Sequence, residues 1–146
     1  MASVIYTHFK AEVMKGNIDL DTGGDDIRVA LVMTNTTCDT EEDVTLMNGF
    51  TTLDEMDGSG YSRQALANEV VNKDNTNNRG EFDADNTTFS SLGNGTRAVQ
   101  GALIYKHVTD DTDSIPICFV DFAADQNPGG SDFTIQWDAE GILQST

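Results

Sequence analysis

The sequence predicts a mainly β fold: a single-domain β-sandwich, jelly-roll-like, of about seven or eight strands, with a short N-terminal helix over residues 5–15. Three observations carry that expectation. The chain holds 18 Asp, 17 Thr, 13 Gly and 11 Asn, residues that favour turns and strand surfaces over helix interiors. Apolar and polar residues alternate through most of its second half, the period of a half-buried strand. Clusters of Gly, Asn and Asp interrupt those runs at the spacing of a sandwich or barrel. A chain of 146 residues is also long enough for one core that buries roughly 70% of the unfolded surface without disulfide or metal staples. No repeat and no linker composition divides residues 1–146.

Ile5, Phe9 and Val13 recur at i, i+4 and i+8, with Tyr6 and Met14 beside the stripe, and Lys15-Gly16 closes the run. That is the pattern of a short amphipathic helix with a glycine stop. A polar turn from Asp19 to Asp26 leads into Ile27–Met33, a strand whose two faces are both apolar enough to be covered. Residues 34–64 are the least regular. Within them Thr40-Glu41-Glu42-Asp43 has the form of a helix start, Thr51 to Met56 suits a single turn, and Gly58-Ser59-Gly60 closes the excursion. So long a segment is either a packed loop or a contact element. Strands follow at 64–72, 80–89, 97–107, 115–122, 133–138 and 142–143. The 115–122 run is almost continuously apolar, which places it centrally with both sides covered. Strict alternation over 133–138 puts Trp137 on one face with Phe133 and Ile135, the place of a core tryptophan.

Charge narrows the function classes. With 25 acids against 8 bases the formal net charge is −17, which disfavours a nucleic-acid partner, because phosphate neutralisation needs clustered Lys and Arg. An anionic membrane surface is disfavoured for the same reason, and no apolar run approaches the roughly 20 residues of a membrane span. No basic-then-apolar signal segment opens the chain, and a soluble protein is expected.

The search for catalytic chemistry comes back empty. His8 and His107 are the only histidines, and no Gly-x-Ser-x-Gly elbow or phosphate loop is present. Asp19-Leu20-Asp21-Thr22-Gly23 begins like a calcium loop, but the twelfth position holds Ala30 where a bidentate glutamate is required. Asp83 and Asp85 alternate with Phe82 and Ala84, which reads as a solvated strand face. No cofactor and no metal site is therefore expected. Cys38 and Cys118 have no metal-ligand spacing, and whether they form a disulfide stays open. The profile suits a structural or binding part and not an enzyme.

The chain resembles, essentially end to end, a family of small virion proteins encoded by tailed bacteriophages. The likeness runs from His8-Phe9-Lys10 into Asp19-Leu20-Asp21 and Ile27-Arg28-Val29-Ala30-Leu31, then through Gly58-Ser59-Gly60-Tyr61-Ser62-Arg63 and Phe82-Asp83-Ala84-Asp85. It is strongest in Ala102-Leu103-Ile104-Tyr105-Lys106 and in the closing Phe133-Thr134-Ile135-Gln136-Trp137-Asp138-Ala139-Glu140-Gly141-Ile142-Leu143. Gly23-Gly24 and the loop around Cys38 are where departures from relatives are expected. The resemblance implies a head decoration or cement protein, made in the host cytoplasm and bound to the outer surface of the capsid head. Its partners would be the major capsid protein lattice and its own copies, as a homotrimer. A tail-associated receptor-binding or small fibre component is the alternative, and a calcium-dependent carbohydrate-binding module a third.

Apolar side chains in a terminal or irregular segment need cover. That singles out Tyr6, His8 and Phe9 in the N-terminal segment, with Phe50, Leu53 and Met56 in the irregular loop, as capsid- or subunit-binding residues. The competing reading is that they fold back on their own sandwich.

Overall fold

A computed structural model describes all 146 residues. Its elements are β1 (Val4–Ile5), α1 (Thr7–Met14), β2 (Ile27–Met33), β3 (Gln64–Ala65), β4 (Val70–Asp74), β5 (Arg79–Asp83), β6 (Thr87–Phe89), β7 (Val99–Lys106), β8 (Ile115–Gln126), β9 (Phe133–Ile135) and β10 (Leu143–Ser145), with one 3-10 turn at Met47–Gly49. The fold is mainly β, a small sandwich-like body built of antiparallel sheets. No helix is long and apolar enough to cross a membrane.

The longest apolar runs lie side by side. β8, β7 and β2 form the middle of a five-stranded sheet ordered β1-β8-β7-β2-β3. Most of their residues are buried on both faces, as expected of strands with no polar alternation. A three-stranded sheet, β10-β5-β4, and a two-stranded one, β6-β9, complete the architecture. A single cluster of 32 buried apolar residues runs through all three sheets, from Leu31 and Phe119 to Phe82, Leu143, Phe89 and Ile135. Trp137 belongs to it, its indole N–H donating to the Asp85 carbonyl at 3.0 Å.

Several expected elements are cut differently. The N-terminal segment opens as a strand, Val4 and Ile5 pairing with Phe119 and Cys118, and the helix occupies only Thr7–Met14 before the left-handed Gly16 (φ 78°) stops it. The 64–72 run breaks at Asn68, which takes a left-handed φ of 54°, a conformation its short polar side chain tolerates. The chain there turns a corner: β3 pairs with β2, whereas β4 pairs with β5. The 80–89 run breaks likewise, β5 joining the three-stranded sheet and β6 pairing with β9. Thr40–Asp43 is turn and not helix: the Thr40 and Glu41 N–H groups close a single turn on the Thr37 carbonyl, at 3.1 and 3.0 Å, and no i→i−4 bond continues it, the Val44 N–H reaching back only to Glu41 at 3.4 Å. Thr51–Met56 runs alongside β2 and does not form a turn of helix, with Asp54 at a left-handed φ of 51°. The Met33 N–H donates to Asp54 and the Met56 N–H to Leu31, at 2.8 and 2.9 Å, so this stretch continues the edge of β2. Cys38 and Cys118 are unpaired and buried.

Candidate functional site

Two places gather side chains of the kind a site needs. The first is built around Arg63, which the loop after Gly60 lays across the five-stranded sheet. Its Nε and Nη2 donate to Glu55 at 2.6 and 2.8 Å. Its Nη1 and Nη2 donate to Asp111 at 2.6 and 2.9 Å. The guanidinium also lies 5.1 Å from the centre of the Tyr105 ring. The Tyr61 hydroxyl donates to Glu55 at 2.8 Å and accepts the Leu31 N–H at 3.1 Å. Hydrogen bonds to Glu55 and then Asp111 hold the Arg63 proton far more tightly than usual, and burial pushes the Tyr61 and Tyr105 hydroxyls up. Each group is committed to another in the cluster, so the arrangement braces two loops against the sheet and leaves no base or nucleophile pointing at open space.

The Asp19–Asp25 loop uses its carboxylates on backbone: Asp21 N–H donates to Asp19 at 3.0 Å, Asp19 N–H to Asp25 at 2.8 Å, and Val71 N–H to Asp21 at 3.0 Å. That last bond keeps the Asp21 carboxyl below the usual range. No group of three or more His, Cys, Asp or Glu side chains stands close enough to hold a metal ion. Burial pushes the Cys38 and Cys118 thiols up to about 12, so neither offers a thiolate at neutral pH.

The second place is a groove of about 810 Å3 between α1 and the three-stranded sheet. Antiparallel register sets its floor, because Val71, Phe82 and Leu143 are successive cross-strand partners and form one apolar row. Gly80, two residues before Phe82, leaves the neighbouring row low, and a Cβ there would meet nothing nearer than 4.0 Å. The helix supplies Phe9, Val13 and Met14 as one wall, and Ile18 and Leu20 close the end. Five large apolar side chains of the whole chain are exposed, and three of them line this groove: Met14 at 86%, Val71 at 45% and Val13 at 38%. Such grouping makes this groove, and not the scattered exposed apolar residues, the candidate surface of the chain.

No family model, curated protein or solved structure matches this chain.

The six residues singled out in the sequence are only partly where a contact surface would need them. Tyr6, Phe9, Phe50 and Met56 are buried in this chain's own core, which is the competing reading, that they fold back on their own sandwich, and not exposure for a capsid or subunit contact. Tyr6 is fully enclosed, its hydroxyl donating to the Cys38 carbonyl at 2.8 Å and its ring meeting Phe50 edge-on at 5.5 Å. For Tyr6 and Phe50 the physical reason is that the corner between β1 and α1 and the irregular loop cover each other, whereas Met56 is buried beside β2, its N–H donating to the Leu31 carbonyl at 2.9 Å. His8 and Leu53 are half-buried. Only Phe9 also borders the groove. Val13, Met14 and Val71 were not singled out: Val13 shares the helical stripe with Ile5 and Phe9, and Val71 sits in a run that reads as ordinary strand.

Proposed function

We propose that this protein is a structural part of a tailed-phage virion, a decoration or cement protein that binds the outer face of the capsid head and stabilises it against internal DNA pressure. The observation that carries the reading is the pairing of a tightly tied acidic body with one grouped apolar surface. Its ionisable clusters are spent on bracing loops, and three of its five exposed large apolar side chains gather at one groove. The resemblance to small phage virion proteins read in the sequence points the same way.

The physics of such a role asks for little chemistry. A protein that binds the assembled lattice and not dispersed subunits stabilises the shell by mass action alone. Self-association as a homotrimer multiplies the effect, since each further site binds at high effective concentration once the first is engaged. A net charge of −17 keeps the outer surface soluble and steers the protein toward a basic patch on the major capsid protein. The test is immunogold labelling of intact particles of the encoding phage in the electron microscope. Label spread over the whole head is the expected result. Label confined to the tail tip, in few copies, overturns it in favour of a receptor-binding or fibre role.

A further inference from the structure

Two of the 11 asparagines precede a glycine, in Asn48-Gly49 and Asn94-Gly95. A glycine nitrogen has no Cβ beside it to hinder its approach to the preceding side chain. Attack of that nitrogen on the asparagine amide then depends on three local conditions. The glycine N–H must be free of other partners, the amide carbonyl must be polarised, and the leaving amine must reach water. At Asn48 the first condition fails. The pair sits in the 3-10 turn, where the Gly49 N–H donates to the Leu46 carbonyl and the Asn48 N–H to the Asp111 carbonyl, both at 2.9 Å. At Asn94 all three hold. The residue is exposed, in a loop outside any helix or strand. Neither the Gly95 N–H nor the Asn94 Nδ2 donates to any group in the chain. The Asn94 Oδ1 accepts the Gly129 N–H at 2.8 Å, a backbone donor placed to stabilise negative charge as it develops on that oxygen.

We propose that Asn94 is a site of spontaneous covalent modification in the folded protein, its side-chain amide converting to a carboxylate through a cyclic imide with Gly95. The Gly95 nitrogen gives its proton to hydroxide from the solvent and attacks Asn94 Cγ. The N–Cγ bond forms, the Cγ–Nδ2 bond breaks, and Nδ2 takes a proton from water and leaves as ammonia. A second water opens the imide at either carbonyl. One product is aspartate; the other is isoaspartate, with the main chain rerouted through the former side chain. Either adds a negative charge where the 92–95 loop meets the 129–131 loop. Isoaspartate also lengthens the backbone by one carbon between two anchors of this loop, the Gly93 N–H on the Ser59 carbonyl at 2.9 Å and the Thr96 N–H on Asp57 at 2.7 Å. The site is independent of the capsid reading, since it needs only the folded chain and water.

The experiment incubates the purified protein at mildly alkaline pH, folded and, in parallel, unfolded in guanidinium. Mass spectrometry of the peptides holding Asn48 and Asn94 follows conversion at each, and methylation by an isoaspartyl methyltransferase detects isoaspartate. In the folded protein Asn94 is expected to convert about tenfold or more faster than Asn48, because one site keeps a donor on its carbonyl and the other must first break a hydrogen bond. Unfolding removes both differences, so the two rates should converge in guanidinium. Asn94→Ser abolishes the fast release of ammonia, and Asn48→Ser leaves it unchanged. Equal rates in the folded protein, a faster Asn48, a ratio that persists on unfolding, or aspartate without isoaspartate at position 94 would each overturn the proposal.

Discussion

Arg63→Met removes the charge at the centre of the loop brace and keeps most of the side chain's volume. The guanidinium makes four hydrogen bonds to the two carboxylates, at 2.6 to 2.9 Å, and stacks on Tyr105. Breaking a fully buried pair costs about 3–5 kcal/mol, and an exposed pair contributes about 0.2–1 kcal/mol. Side-chain exposures of 21% for Arg63, 27% for Glu55 and 35% for Asp111 put both pairs between those limits. Two such pairs and one cation–π contact give a loss of about 3 kcal/mol. In a domain of this size that lowers Tm by about 6–12 °C. Differential scanning calorimetry with a parallel urea titration measures it. Arg63→Lys, which keeps the charge but not the planar fork, is expected to recover less than half of the loss. A loss below about 1 kcal/mol would refute the brace and mean that the 55–63 and 107–114 loops are held by their backbone and apolar contacts alone.

Two further outcomes follow from the packing and the carboxylates. Gly101→Ala places a Cβ 2.4 Å from the Val120 carbonyl oxygen and 2.5 Å from the Phe119 ring, at the centre of the large sheet where neither yields cheaply. Urea unfolding should show a loss of about 3 kcal/mol, the upper end for overpacking, and unchanged stability would argue against the observed β7–β8 register. Hydrogen bonds from Arg97 hold the Asp54 carboxyl below its ordinary range, and Arg28 does the same for Asp26. A depressed folded value means the stabilisation is fully present above the unfolded value near pH ~4 and is lost as pH falls through the folded one. The urea midpoint should therefore fall in acid below about pH 4, and Asp54→Asn should flatten that limb; an equal slope in the variant would remove Asp54 from the account.

The centre of this fold is legible because its strands are simple. β2, β7 and the first half of β8 carry apolar residues on both faces, and no other packing satisfies such runs. The corners are not legible. Alternation runs on through Asn68 and through residues 84–86, because each half-strand obeys the period of its own sheet, and period carries no information about which sheet that is. The loop from Thr37 to Thr51 misleads for a different reason. Its Thr and Glu side chains look like a helix cap, but Glu41 accepts the Thr51 N–H at 2.8 Å and the Thr37 hydroxyl at 2.7 Å, closing a loop across space. The groove escapes sequence reading because exposure of Met14 and Val71 depends on how α1 and a three-stranded sheet meet.

The short opening strand has a consequence for how the protein comes into being. Val4 pairs with Phe119 and Ile5 with Cys118, so β1 is synthesised long before the strand that pairs with it. β2 waits in the same way for β7. Pairings this distant along the chain form slowly, since loop closure must be met before the contacts reward it. Acquisition of the native state is then deferred until β7 and β8 are made, and until then the apolar Ile27–Met33 segment is exposed. An N-terminal fragment ending before β7 should aggregate instead of forming half a sheet.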